Sequence, residues 1–209
     1  MTLSKDIDLL LIGGIGNGKS ALGNTILRRK AFISESGLDA VTRRVSCEVS
    51  EYNGHIIKVV DCPGVEYKCH WTEKSFDSVV NALKDAITIN PRGYPAFILV
   101  VRYGGRFTDE DQDVIDFLKN IFGDSFVKDF CILVLTCGDL FNWEVESEGF
   151  QDWCNKQQGH FKELVKECCN RVVLFDNRTK DTSTQDAQLN ALITVVDNLR
   201  WREKRYTNE

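Results

Sequence analysis

A glycine-rich segment between two apolar runs carries the clearest chemistry in this sequence. Residues 13–20 read Gly-Gly-Ile-Gly-Asn-Gly-Lys-Ser and fit the pattern G-x-x-x-x-G-K-[ST]. Glycines let a backbone wind around phosphate oxygens and turn its N–H groups inward, and the helix that follows presents its positive end to the same anion. The segment therefore predicts a phosphate-binding loop, the alternative being a plain glycine-rich turn between a strand and a helix.

Two side chains at the end of this loop supply what a bound nucleotide needs. Lys19 is expected to reach the outer phosphates and to assist catalysis there, and Ser20 is expected to ligate Mg²⁺. The other contacts are expected from the backbone and short side chains of the loop. The predicted nucleotide-binding residues of this segment are Gly14, Gly16, Asn17, Gly18, Lys19, Ser20 and Ala21.

Residues 61–64, Asp-Cys-Pro-Gly, follow an apolar run at the position where a P-loop NTPase holds the acid that fixes Mg²⁺ through water. Asp61 is the candidate for that acid. Gly64 is expected to donate its N–H to the terminal phosphate, so that residues 64–72 become ordered when this phosphate is present. The alternative is a simple turn after a strand, a common use of these residue types.

Thr42 lies in a polar, glycine-containing stretch that is unsuited to a core. It is a candidate for completing the Mg²⁺ shell together with Ser20 and Asp61. The alternative is a loop threonine without a ligand, since Ser34 and Ser36 lie nearby.

Two further strand ends predict the base-binding side. Residues 135–139 read Leu-Thr-Cys-Gly-Asp, and a carboxylate at Asp139 would accept both the ring N–H and the exocyclic amine of guanine, a donor pair that adenine lacks. The alternative for Asp139 is a helix N-cap. Residues 175–178, Phe-Asp-Asn-Arg, would form the remaining wall of the pocket, with Asn177 as the polar contact.

The elements that must position these residues alternate between short β-rich runs and helical patterns. Such alternation predicts an α/β fold with a doubly wound, mostly parallel sheet. Asn53-Gly54 between two β-rich runs predicts a hairpin, and thus one antiparallel edge strand. The predicted strands are residues 7–13, 45–52, 55–61, 96–102, 130–136 and 171–175, and the predicted helices include residues 21–29, a stripe from Phe76 to Ile87, a helix capped by Thr108 with Asp111, and a closing helix through Leu199. A polar and aromatic segment at about 141–169 precedes the last strand.

Length and composition bound the rest. The 209 residues are predicted to form a single domain with a core at about 7–199. Residues 200–209 are predicted to be the basic end of the last helix. Cations there are favoured by the helix dipole, and this explanation is preferred to a membrane-binding patch. The net charge of −5 argues against nucleic acid as a partner. The eight cysteines include no Cys-x-x-Cys pair, so free thiols are favoured over zinc ligands. No apolar run approaches the roughly 20 residues that span a bilayer, so the predicted location is cytoplasmic, with membrane attachment only through a partner or a C-terminal extension.

Together these motifs resemble the immunity-associated nucleotide-binding GTPases, the GIMAP family, from about Ile7 to Leu199. Residues 23–27 repeat the family's Gly-Asn-x-Ile-Leu, and residues 105–111 match its Gly-Arg-aromatic-Thr-x-Glu-Asp box. The resemblance implies a septin-like G domain, GTP and GDP as ligands, and nucleotide-dependent association of G domains as a homodimer. It also implies that Thr136, Asp139 and Asn177 read guanine, although the usual Asn-Lys-x-Asp pattern is absent here.

The position that orients the attacking water in Ras-like proteins is Val65 in this chain, which cannot do so. Slow hydrolysis of GTP is therefore expected, or a GTP-regulated assembly scaffold with negligible hydrolysis. Asp139 disfavours a third reading, an ATPase or small-molecule kinase. Arg106, in the family's box, is the candidate for an arginine finger across a dimer; the alternative is an ion pair with Glu110 or Asp111.

Overall fold

The computed structural model describes residues 6–34, 44–66, 72–145, 148–200 and 204–207. Six strands form one sheet in the order β2-β3-β1-β4-β5-β6, with β2 antiparallel to β3 and every other pair parallel. The predicted α/β fold with one antiparallel edge strand is thus confirmed. The strands are β1 Asp6–Ile12, β2 Ser46–Tyr52, β3 His55–Asp61, β4 Ala96–Arg102, β5 Cys131–Thr136 and β6 Val172–Leu174.

The hairpin between β2 and β3 turns at Asn53 and Gly54, as predicted. Both residues have positive φ, 50° and 77°, which is the geometry of a two-residue turn whose twist matches that of the strands. Tyr52 pairs with His55 directly across the turn. The predicted hairpin is confirmed.

Eight helices are described, and their bounds correct several predictions. The first helix begins at Lys19 and ends at Leu27, not at residues 21–29, because Gly18 is its left-handed N-cap and Arg28 turns left-handed at φ 56°. Phe130 belongs to a short helix that was not predicted, so the fifth strand starts one residue later. The helices are α1 Lys19–Leu27, α2 Glu73–Ile89, α3 Asp109–Phe122, α4 Phe126–Phe130, α5 Gly138–Glu144, α6 Phe150–Lys156, α7 Gly159–Glu167 and α8 Thr182–Arg200.

Helix α3 starts at the predicted cap. The Thr108 hydroxyl accepts from the Asp111 N–H, and the Asp111 carboxylate accepts from the Thr108 N–H at 2.9 Å. Two donors of the first turn are satisfied in this reciprocal way. This local pattern was readable in the sequence because cap and partner are three residues apart.

Two apolar layers enclose the sheet. One layer holds α1 and α8, and the other holds α2, α3, α4, α6 and α7. The polar and aromatic segment from residue 141 contains α6 and α7 and most of α5. Phe161 is buried in the core and Phe150 and Trp153 pack against it, whereas Trp143 is exposed. Within the described ranges every cysteine is free, and no helix is both long and apolar enough to span a membrane.

Candidate nucleotide-binding site

The loops that follow β1, β3, β4, β5 and β6 all lie at the carboxyl edge of the sheet, because these strands are parallel. Ligands in open α/β sheets bind beyond this edge. The topology thereby brings the candidate residues after Ile12, Asp61, Thr136 and Leu174 to one edge, although they are far apart in the chain.

The glycine loop leads directly into helix α1. Gly16 and Gly18 have φ of 78° and 87°, a region that favours glycine, and no side chain caps the helix. Lys19 is 6% exposed, and its ammonium donates to the carbonyls of Gly14 and Gly13 at 2.8 and 3.3 Å. Burial lowers the pKa of Lys19 to about 8, although the nearby Asp61 carboxylate opposes this shift. The helix end and the lysine both carry positive charge that suits an anion.

Ser20 and Asp61 meet below this loop. The Ser20 hydroxyl donates to Oδ2 of Asp61 at 2.6 Å, and Oδ1 of this buried carboxylate has no hydrogen-bond partner among the residues described. Burial raises the pKa of Asp61, while the Ser20 hydrogen bond and the charge of Lys19 act in the opposite direction. A hydroxyl and a carboxylate are oxygen donors of the kind that Mg²⁺ takes, directly or through water. Thr42, the third predicted ligand, lies outside the described residues.

The segment after β3 is joined to the phosphate loop by backbone pairing. Val65 donates to the Gly13 carbonyl and accepts from the Ile15 N–H, both at 3.1 Å. A Cβ at Gly64 would stand 2.7 Å from the Ile15 Cα, so only glycine allows this approach. Gly64 therefore lies against the glycine loop, and its contact with a terminal phosphate stays a prediction.

Thr136 and Asn17 connect the phosphate loop to the sheet. The Thr136 hydroxyl donates to the Asn17 carbonyl at 2.9 Å, and the Asn17 amide donates to the Val100 carbonyl at 3.0 Å. Thr136 is buried, with 2% of its surface exposed. Both side chains are engaged within the protein, so in this structure they position the loop.

Asp139 lies in the first turn of α5 and faces the loop after β6. The N-cap of this helix is Cys137, in a left-handed conformation at φ 62°, so Asp139 is not the cap residue. Its carboxylate is 37% exposed and forms an ion pair of 3.6 Å with Arg178, whose side chain is 82% exposed. A partner this exposed restrains the carboxylate weakly.

The loop after β6 is held by Asp176, next to Asn177, and by Gln188 of α8. The Asp176 carboxylate accepts from the N–H groups of Arg178 and Thr179 at 2.8 and 3.0 Å. Gln188 of α8 accepts from the Asp176 N–H at 3.0 Å and donates to its carbonyl at 3.2 Å. The oxygen of the Asn177 side chain accepts from the Thr25 hydroxyl of α1 at 2.9 Å. Sequence reasoning missed Gln188, since a glutamine inside a helix gives no signal of a distant loop.

Gly23 and Asn24 hold the chain that leaves α1. Asn24 accepts from the N–H groups of Ala31 and Phe32, both at 2.7 Å, and donates to the Phe32 carbonyl at 2.9 Å. A Cβ at Gly23 would approach the Phe32 ring to 2.7 Å. This pair of the family signature thus fixes the start of the connection towards β2, a role that its sequence did not reveal.

The Arg106 loop is held through Tyr103 at its start. Tyr103 donates its N–H to the Thr136 carbonyl at 3.2 Å and its hydroxyl to Glu144 at 2.8 Å. Its ring meets Phe141 and Trp153 edge-on, with centroids 5.2 and 5.5 Å apart. The start of the loop is therefore anchored to β5 and to helices α5 and α6.

Phe107 anchors the other end of the same loop against Phe161 of α7, at 6.0 Å between centroids. Arg106 is exposed between these two anchors. Glu110 and Asp111, the alternative partners considered for it, lie in the first turn of α3, and the Asp111 carboxylate accepts from the Thr108 N–H at 2.9 Å. Arg106 is thus presented outward on a loop whose ends are fixed.

Comparison with known proteins identifies the family. The chain matches the AIG1 family over residues 7–209. It is 36% identical over 196 residues to Immune-associated nucleotide-binding protein 9 of Arabidopsis thaliana, covering 91% of this chain and 54% of the relative. It is 31% identical to GTPase IMAP family member 8 of Rattus norvegicus, covering 93% of this chain and 27% of that protein. The chain spans 40 to 60% of the length of the first three Arabidopsis relatives.

Solved structures show the same fold. Toc33 from Arabidopsis thaliana in complex with GDP and Mg²⁺ superposes with a TM-score of 0.65 at 16% identity, covering 98% of this chain and 88% of Toc33. The G domain of the T. maritima FeoB iron transporter gives a TM-score of 0.55 at 17% identity, covering 93% and 98% of the two chains. With the sheet order, the glycine loop and the Arg106 box in place, this chain belongs to the AIG1 family of immune-associated nucleotide-binding proteins and carries its G domain.

Proposed function

We propose that this chain binds GTP and GDP with Mg²⁺ through residues 13–20 and Asp61. The observation that carries the proposal is the meeting of Lys19, Ser20 and Asp61 beneath a glycine loop at the start of α1. Phosphate oxygens would replace the loop carbonyls as acceptors for the Lys19 ammonium. Water on a bound Mg²⁺ would give the buried Oδ1 of Asp61 the donor that it lacks.

Guanine is the proposed base. The Asp139 carboxylate would accept from the ring N–H and the exocyclic amine once it leaves its exposed partner Arg178. Adenine offers no such donor pair, and an unpaired carboxylate in the pocket would penalise its binding. Asn177 lies on the loop of the neighbouring strand and is the proposed second polar contact, with Thr136 supporting the phosphate loop beside it.

Hydrolysis of GTP is proposed to be slow. Val65 is 3% exposed, has no polar side-chain atom and is fixed by its backbone to the phosphate loop, so it cannot orient a water molecule. Charge stabilisation by Lys19 and Mg²⁺ would supply most of the rate in a single chain.

We propose that the active assembly is a nucleotide-dependent homodimer in which Arg106 of one copy reaches the phosphates of the other. The exposure of Arg106 and the anchoring of its loop by Tyr103 and Phe107 support this arrangement. For the chloroplast translocon components atToc33 and psToc159, dimerisation is important for the GTPase activity. A GTP-regulated scaffold with negligible hydrolysis is the second candidate, favoured by Val65.

Equilibrium binding of fluorescent GDP with and without Mg²⁺ tests the first proposal, using Lys19→Met and, as a matched control, Lys30→Met at an exposed lysine. We expect Lys19→Met alone to lose binding, and GDP to compete far better than ADP. Binding that survives Lys19→Met, or equal competition by ADP, would refute the site. Phosphate release in a single turnover separates the slow enzyme from the scaffold. Oligomeric state measured with GDP and with a non-hydrolysable GTP analogue tests the dimer.

A further inference from the structure

Residues 204–207 lie at the amino-terminal edge of the sheet, opposite to the edge that holds the candidate nucleotide-binding residues. Helix α8 packs in the layer that contains α1 and ends at Arg200. Tyr206 packs in the other layer, which contains α3 and α4. Helix α8 and Tyr206 therefore pack on opposite faces of the sheet.

Residues 93–94 receive this segment by backbone pairing. Tyr206 donates to the Tyr94 carbonyl at 2.8 Å, and Tyr94 donates to the Tyr206 carbonyl at 3.0 Å, which is an antiparallel bridge. Gly93 has φ of 72°, and a Cβ there would collide with the Tyr206 carbonyl. The Gly93 carbonyl also accepts from Nε of Arg205 at 3.1 Å. The receiving backbone is thus shaped for close approach.

The Arg205 guanidinium enters a buried acidic position. Asp8 of β1 is 1% exposed, and Arg205 donates a hydrogen bond to its carboxylate. The other cations beside Asp8 are farther away, Lys58 at 3.7 Å and Arg92 at 3.9 Å. A buried carboxylate is costly unless it is paired with a cation and hydrogen-bonded. Asp8 therefore favours a cationic hydrogen-bond donor, which Arg205 supplies.

The Tyr206 ring fills an aromatic pocket. Phe97, Phe122 and Phe130 surround it at centroid distances of 5.1, 5.4 and 5.7 Å, each ring close to perpendicular to it. Edge-to-face contacts of this kind add to the free energy of apolar burial. Burial raises the pKa of the Tyr206 hydroxyl. The pocket therefore recognises a flat aromatic ring.

We propose that Asp8, the backbone of residues 93–94 and these three phenylalanines form a recognition site for the dipeptide Arg-Tyr in extended conformation, which we name the Arg-Tyr site. Its occupant is the chain's own segment 204–207, and occupation ties the two helical layers together across the sheet edge. The recognition chemistry is that of an added strand, in which backbone hydrogen bonds provide affinity and the pockets for side chains provide specificity. Because the carboxylate and the ring pocket are separate, the order Arg then Tyr is required.

Binding in trans tests this site on the full chain carrying both Arg205→Ala and Tyr206→Ala. The probe is a fluorescent peptide of residues 203–209, Glu-Lys-Arg-Tyr-Thr-Asn-Glu, and the control peptide has the Arg and Tyr exchanged. We expect the double variant to bind the native-order peptide at least about tenfold more tightly than the control peptide. The unsubstituted chain should bind it at least about tenfold more weakly than the double variant, since its site is filled.

Adding Asp8→Asn to the double variant should reduce binding of the native-order peptide at least about tenfold, with circular dichroism reporting the fold of each protein. Equal binding of the two peptides, or no binding to a folded double variant, would overturn the proposal. If the double variant does not fold, amide exchange of Tyr94 is compared between the native chain and Tyr206→Phe and Arg205→Lys. We then expect faster exchange in Arg205→Lys than in the native chain, and unchanged rates in both variants would refute the site.

Discussion

The Ser20 hydroxyl donates to one oxygen of Asp61 at 2.6 Å, and the other oxygen of that buried carboxylate has no partner in the segments described. The two residues meet because β1 and β3 are adjacent parallel strands, so the start of α1 and the end of β3 share one sheet edge. An unsatisfied buried acceptor costs about 1–3 kcal/mol. A hydrated cation bound here would give this acceptor a donor, which links metal binding to stability.

Replacement of Asp61 by Asn tests this link. We expect the native chain to bind GDP at least about tenfold more tightly with Mg²⁺ than with EDTA, and the variant to lose this difference, because Asn cannot provide the charge that holds the hydrated metal. Fluorescent GDP titrations measure both. Asp124→Asn, at an exposed turn, is the matched control and should keep the full Mg²⁺ effect. An undiminished Mg²⁺ effect in Asp61→Asn would remove Asp61 from the metal site.

Asp139→Asn should change the base preference from guanine to xanthine. Xanthine presents an oxygen where guanine carries its exocyclic amine, so an amide that both donates and accepts suits it better than a carboxylate does. We expect GDP affinity to fall about a hundredfold, which corresponds to about 2.7 kcal/mol, while affinity for xanthosine diphosphate rises. Competition titrations with both nucleotides measure the change. Arg178→Ala removes the ion-pair partner of Asp139 and should leave the base preference intact; GDP affinity unchanged in Asp139→Asn would contradict base reading by this residue.

Asn24→Ala should destabilise the fold without touching the proposed phosphate contacts. The variant loses three hydrogen bonds to Ala31 and Phe32 that hold the chain after α1. At about 1 kcal/mol for each net hydrogen bond, the loss in free energy of unfolding is about 2–3 kcal/mol. Urea denaturation followed by circular dichroism gives this value. Asn190→Ala, on the exposed face of α8, should change stability by less than about 0.5 kcal/mol; an equally small effect for Asn24→Ala would show that the clamp is dispensable.

The sheet and the glycine loop after β1 could be predicted because their signals are local. An apolar run, an Asn-Gly turn and a Thr cap three residues from its partner each restrict the backbone within a few residues. The bounds of β3 and β4 agree with the prediction for this reason. The predicted start of α1 was wrong because a glycine at the N-cap has no side chain that marks the beginning of a helix.

The contacts that hold the site together could not be predicted in the same way. Gln188 holds the loop of Asn177 through a hydrogen bond to Asp176, which is 12 residues away in the sequence, and Thr136 donates to Asn17 across 119 residues. Which side chain fills such a contact depends on the packing of several strands, and sequence periodicity does not encode it. Arg205 illustrates this: the sequence suggested a cation near a helix end, whereas its half-buried guanidinium pairs with the buried Asp8, near the other end of the sequence.

Nucleotide binding should take up protons at alkaline pH. The pKa of Lys19 is about 8 in the free protein, below its usual 10.5, because the ammonium is buried. Bound phosphates would raise this pKa again, so binding favours the protonated lysine and affinity falls as pH rises above about 8. Calorimetry in two buffers of different ionisation enthalpy should give an uptake of about three quarters of a proton at pH 8.5 and about a tenth at pH 7. Equal uptake at the two pH values would mean that Lys19 does not sense the phosphates.

Arg106 allows a test of catalysis in trans. Its loop is anchored at Tyr103 and Phe107, so the backbone that carries the exposed guanidinium is held in place. An arginine supplied by a second copy would be available only in the dimer. Specific GTPase activity of the native chain should therefore rise with protein concentration, and arginine fingers contribute about 10³- to 10⁵-fold where they act.

Arg106→Ala should abolish this rise and leave the low activity of the dilute native protein. The matched control is Arg102→Ala, which removes an exposed arginine at the end of β4, the strand that precedes the Arg106 loop. This variant should keep the concentration dependence. Phosphate release measured over a hundredfold range of protein concentration, with sedimentation on the same samples, separates loss of the dimer from loss of the finger. A variant that still dimerises with a GTP analogue but gains no activity on dimerising has lost the finger itself. A native chain whose specific activity is constant across the range leaves Arg106 without a catalytic role in trans.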